Sequence, residues 1–116
     1  MTPEQKDRIL SVIERDAAIR GRYVNGDGEF CIIGGLLDEM GVDVKAELFR
    51  TTKNTRSIKE LVWLDQLQET FGLAKYQLIS LQDINDGTIT RTIRQSILRQ
   101  CIEAIWSEQE KNAPGN

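Results

Sequence analysis

Apolar positions recur along most of this chain at spacings of three and four residues, the signature of helices with one buried face. Thr2, followed by Pro3 and Gln5, predicts a helix start with Thr2 as the N-cap and Gln5 closing a capping box. Ile9, Val12, Ile13 and Ala17 carry that helix to about Ala18. Arg22-Tyr23-Val24 and Glu29-Phe30 then flank Asn25-Gly26-Asp27-Gly28, whose Asn-Gly and Asp-Gly pairs suit the positive φ angles of a tight turn. The spacing predicts a short β-hairpin that needs helices to pack against, because two strands alone are marginal.

The hairpin leads into Phe30–Gly41, the stretch around which the rest is organised. Read as a helix, it gathers Ile32, Ile33, Leu36, Leu37 and Met40 on one broad apolar face. Cys31, Gly34, Gly35 and Asp38 fall on the opposite face. Two glycines inside a helix cost roughly 1 kcal/mol each relative to alanine. The usual compensation is close approach by backbone or by a bound group. A central helix pressed from both sides is the expectation, with Gly41 as its C-terminal stop.

Val44, Leu48 and Phe49 suggest a short helix or irregular segment, and Thr51–Arg56 reads as a polar loop. Ser57 with Glu60 forms a second capping box. The helix it opens places Leu61, Leu64, Leu67 and Phe71 in one stripe, widened by Ile58, Val62 and Trp63, and Gly72-Leu73 ends it. A short helix over Ala74–Asp83 buries Leu78 and Leu81 until Asn85-Asp86-Gly87 breaks it. Thr88 or Thr90 caps the last helix, whose Ile89, Ile93, Ile97, Cys101 and Ile105 repeat every fourth residue beside Leu98 and Ile102. That pattern places Cys101 on a buried stripe.

The predicted fold is therefore mainly α, α+β at most: four or five helices around the glycine-containing one, with one short hairpin. A single domain over residues 1–110 and a frayed tail over 111–116 complete the expectation. No apolar run is long enough to span a bilayer, and the charged N-terminus lacks the apolar core of a signal peptide, so cytoplasmic residence is the expectation.

The chain has no histidine, which removes Ser-His-Asp and Cys-His catalysis and every histidine-containing zinc site. Two cysteines alone cannot complete a zinc tetrahedron, so no metal and no cofactor is expected. A net charge of −3 argues against nucleic-acid binding by bulk electrostatics. Aligning Gly87 with the glycine of an EF-hand loop puts Gln82, Ile84 and Asp86 at ligand positions and Ile93 in place of the glutamate, so no calcium loop is present. The glycine pairs match neither a dinucleotide fingerprint nor a phosphate-binding loop.

Two chemistries stay open. Cys31, at a helix N-terminus beside glycines, is a candidate nucleophile or redox thiol, although no base accompanies it. Arg91, Arg94 and Arg99 make the first half of the last helix basic, and with Arg50, Lys53, Arg56 and Lys59 they form a candidate patch for phosphate or an acidic protein. An exposed apolar surface around Trp63 and Trp106 would favour self-association.

The layout resembles a family of small bacterial and phage domains of unknown function. Its pattern runs from an N-terminal helix through an Arg-Gly-aromatic segment to Cys-x-x-Gly-Ala-Leu, with an Asn-Asp pair before the final helix. The corresponding residues are Arg20-Gly21-Arg22-Tyr23, then Cys31-Ile32-Ile33-Gly34-Gly35-Leu36, then Asn85-Asp86. Gly35 replaces the usual alanine, Arg22 separates Gly21 from Tyr23, and Ala74 stands where a capping residue is expected. The resemblance carries no activity, but it implies that Cys31, Gly34, Gly35, Asn85 and Asp86 belong to one signature. The joint expectation is that Asn85 and Asp86 bond backbone near the start of the central helix.

The leading functional expectation is a small non-enzymatic binding or regulatory protein, phage- or mobile-element-linked, acting through a protein partner and leaving a homodimer open. The alternatives are a thiol-dependent enzyme or redox sensor centred on Cys31, and a nucleic-acid accessory protein using the arginine face.

Overall fold

A computed structural model describes residues 1–112. Six α-helices follow in order: α1 (Pro3–Arg15), α2 (Ile32–Glu39), α3 (Val44–Leu48), α4 (Leu64–Phe71), α5 (Lys75–Gly87) and α6 (Arg91–Lys111). Short 3-10 turns occupy Thr52–Thr55 and Ile58–Glu60. The protein is mainly helical, and α6 includes Lys111. The rest of the predicted frayed tail, residues 113–116, lies outside the described residues. Among the described residues no helix is long and apolar enough to cross a membrane.

Thr2 caps α1 through the Gln5 N–H at 3.1 Å, and the Gln5 side chain returns the bond to the Thr2 N–H at 2.8 Å. The helix ends earlier than Ala18 because Ala17 takes a left-handed backbone, φ +59°. Its carbonyl is held there by the buried Arg94 guanidinium. Helix α2 is covered on both sides: every residue from Ile32 to Leu37 is buried. Its neighbours include α1, α3 and α5, while α1 packs mainly on α6.

The predicted hairpin is not a strand pair. Among the described residues the only β feature is an isolated bridge between Val24 and Phe30. The Cys31 N–H donates to the Tyr23 carbonyl and the Asn25 N–H to the Glu29 carbonyl. Cys31 is already the N-cap of α2, however, so the pairing stops after one bridge, and the outer edge of Val24 is taken by Asn54. Its side-chain oxygen accepts the Tyr23 and Val24 N–H groups at 3.0 and 3.1 Å, and its amide donates to the Val24 carbonyl at 2.9 Å. A side chain thus occupies the outward-facing backbone groups of Val24, where a third strand would pair. The turn beyond is built on Asn25, whose side-chain oxygen accepts the N–H groups of Asp27 and Glu29.

Three other expectations are corrected. The number of α-helices is six among the described residues, not four or five. The helix expected from Ser57 begins at Leu64. Ile58 gives its N–H to the Gln82 side chain and Leu61 is extended, so both reach the core from a tight turn while Val62 is left 74% exposed. Asn85-Asp86-Gly87 does not break α5 but forms its last turn.

The largest difference is the register of α6. Ile89 and Ile93, expected inside, are 77% and 54% exposed, and Ile97 is at the surface too. The buried face carries Arg94, Leu98 and Ile102. A guanidinium that satisfies three carbonyls rotates the helix away from the more regular isoleucine repeat: Arg94 donates to Ala17, Thr88 and Ile89. Cys101 is accordingly half-buried. Leu98→Ala is expected to cost about 2–5 kcal/mol, whereas Ile93→Gln changes stability by about 0.5 kcal/mol or less. Urea unfolding of the two variants checks this, and the reverse order of costs would place the isoleucine stripe inside.

Candidate functional site

The start of α2 is built by two short-range bonds. Cys31 is the N-cap, its Sγ accepting the Gly34 N–H at 3.2 Å. Its own N–H donates to the Tyr23 carbonyl at 3.2 Å. That carbonyl lies over Gly34 so closely that no side chain fits there. Gly35 serves a different contact, against Val12 and Asp16 of the α1 side. The two glycines therefore admit two different neighbours rather than one shared group.

Asn85 and Asp86 reach this region from the last turn of α5. The buried Asn85 accepts the Ile32 N–H at 2.9 Å and donates to the Ile19 carbonyl at 2.9 Å. Asp86 Oδ1 accepts from Asn85 Nδ2 at 3.2 Å and from the Gly21 N–H at 3.0 Å. Arg20 Nη1 closes the circuit on the Asp86 carbonyl at 3.1 Å. Four of the five signature residues, all but Gly35, thus converge on the segment Ile19–Tyr23.

Above that segment lies a polar cleft of about 250 Å³. One wall is Gly21–Tyr23, a second is Asn54–Ser57, and the third is α5 through Gln82, Asp83 and Asp86. A strut holds the walls apart. The buried Tyr23 hydroxyl donates to the Arg56 carbonyl at 2.6 Å and accepts from Gln82 Nε2 at 3.0 Å, while Gln82 Oε1 accepts the Ile58 N–H at 3.1 Å. Burial, opposed by the Gln82 bond, pushes the Tyr23 phenol above its ordinary range. No buried side-chain nitrogen or oxygen among the described residues lacks a partner, so the frame is complete in itself.

No family model, no curated protein and no solved structure matches this chain.

The three arginines of the predicted basic face do not form one surface. Arg94 is buried under Ala17, Arg91 donates to the carbonyls of Arg15 and Asp16, and Arg99 pairs with Glu14 at 3.5 Å. Trp63 and Trp106 are half-buried, and Lys6 lies over the Trp106 ring. An apolar groove of about 330 Å³ runs instead between α5 and α6, past Tyr76, Cys101 and Ala104. Among the described residues no three metal-ligating side chains come together. Tyr23, Asn54 and Gln82, which shape the cleft, were not singled out as site residues. The one sequence signal was Tyr23 in the Arg-Gly-aromatic segment; Asn54 and Gln82 gave none.

Cys31 closes the floor of the cleft with a buried thiol. Burial, partly offset by the Gly34 N–H, pushes its pKa up to about 12 from an ordinary 9.0. At neutral pH it is a protonated thiol. In timed alkylation of the folded protein, Cys101 is expected to react first and Cys31 only as the chain unfolds; fast labelling of Cys31 would place its sulfur at the surface. The unfolded thiol ionises before the folded one, so the folded state holds the extra proton and stability falls as pH rises from about 9 to about 12. The slope from this group is about 1.4 kcal/mol per pH unit, and it should be missing in Cys31→Ser.

Proposed function

We propose that this is a small non-enzymatic binding and regulatory protein, acting through a protein partner held at the polar cleft. The observation that carries the reading is an asymmetry in how polar groups are used. The frame groups, Tyr23, Asn54, Gln82 and Asn85, spend their hydrogen bonds inside the protein. The Arg22 and Asp83 side chains on the walls make no hydrogen bond or ion pair with any described residue, and the Arg56 side chain has a single solvent-exposed pair with Glu60 at 3.7 Å. A rigid frame presenting uncommitted charges suits recognition. Catalysis at Cys31 draws no support from a buried, protonated thiol without a base. The nucleic-acid reading loses the arginines that motivated it. A phage- or mobile-element-linked setting rests on the family resemblance alone.

The test compares proteins retained by the tagged chain with those retained by an Arg22→Ala/Asp83→Ala double variant whose thermal melt matches the parent. A partner retained by the parent and lost by the variant is the expected result. Identical retained sets would overturn the reading.

A further inference from the structure

We infer that the cleft recognises a dipolar group, a carboxylate set against Arg22 and Arg56 with an ammonium or guanidinium set against Asp83 and Asp86. This rests on the reading of the cleft as a binding site. Two cations and two anions line one cavity of about 250 Å³. Even so, no arginine pairs with either aspartate among the described residues. Flexible side chains of opposite sign normally close such a gap where the backbone lets them. Here the backbone is fixed: the Tyr23–Gln82 strut ties the Arg56 wall to α5, and Asp86 is tied to Gly21.

A purely anionic ligand would meet Asp83 and Asp86, and a purely cationic one would meet Arg22 and Arg56. Like-charge contacts of that kind are a standard means of rejecting the wrong partner. A ligand carrying both charges satisfies both walls. The Ser57 hydroxyl, which accepts the Lys59 N–H and keeps its own proton, borders the arginine side and adds a neutral donor for a carboxylate oxygen. That chemistry has two sources, a free zwitterion or an adjacent acid–base pair on the partner's chain.

Backbone amide NMR of the full chain tests the inference, following Gly21, Arg22 and Asp83 during titration. The free probes are glycine, γ-aminobutyrate and 5-aminopentanoate, with butyrate and butylammonium as single-charge controls. The peptide probe is acetyl-Gly-Glu-Lys-Gly-amide. At least one dipolar probe should shift these amides to saturation and bind about tenfold or more tightly than either control, the scale of one charge-assisted hydrogen bond. Arg22→Gln and Asp83→Asn should each bring that affinity down to the control level. Saturation by γ-aminobutyrate or its homologues marks a free zwitterion as the source, and saturation by the peptide alone marks the partner's chain. Equal binding of butyrate or butylammonium overturns the inference, as does the absence of any shift. In both cases the retention experiment still decides the function, since it uses no probe.

Discussion

Gly34→Ala should destabilise the protein by about 3 kcal/mol or more, although alanine is the better helix former by roughly 1 kcal/mol. A methyl group at this position falls far inside contact distance of the Tyr23 carbonyl oxygen and within 3.0 Å of its carbon. Those are backbone atoms, and the carbonyl is also the acceptor of the Cys31 N–H. Relief therefore requires moving either the start of α2 or the floor of the cleft. Gly87→Ala is the matched control. It lies in the last turn of α5 with nothing within 4 Å of the added carbon, and it should raise stability by about 0.4–1 kcal/mol. Thermal melts of the two variants should move in opposite directions. A neutral Gly34→Ala would show that the segment at Tyr23 is not seated on α2.

Asn85→Ala is expected to cost about 3 kcal/mol, from one buried and one partly buried backbone group stripped of partners at about 1–3 kcal/mol each. The Ile32 N–H sits in the first turn of α2, where no intrahelical acceptor exists, and the Ile19 carbonyl has no strand neighbour to turn to. Asp86→Ala should cost less, about 1 kcal/mol, because the Gly21 N–H it releases is exposed and can bond water. Hydrogen exchange sharpens the test: the Ile32 amide should be strongly protected in the parent and lose that protection in Asn85→Ala. Unchanged stability together with an unchanged Ile32 exchange rate would mean that Asn85 does not hold the two elements together.

What the amino-acid pattern showed best was local. The Thr2 capping box and the Gly72 stop both depend on residues within one or two turns, and both are present. The glycine pair revealed a helix approached from both sides, though not that Gly34 and Gly35 receive different neighbours. Periodicity failed where one long-range polar contact outweighed it. The isoleucine repeat of α6 is more regular than the Arg94-Leu98-Ile102 face, but only the latter lets a guanidinium serve three carbonyls. The hairpin stopped at a single bridge because the residue after Phe30 is already the N-cap of α2. Of the site, Cys31, Asn85 and Asp86 were legible through spacing and resemblance. Asn54 and Gln82 were not, because an asparagine and a glutamine act here through geometry that no local pattern encodes.

The seating of α1 against α6 bears on how the chain is made. Arg94 reaches back 77 residues to Ala17, and Gln95 reaches 82 to Ile13. On the ribosome, the first helix therefore emerges long before its main partner exists. Its first contacts are with α2, where Val12 lies against Gly35, and its packing is completed only once α6 has left the exit tunnel. Completion of the core consequently waits for α6, with the nascent chain exposed to chaperones and proteases until then. A stop codon anywhere before α6 would yield a product to be degraded rather than a smaller working version.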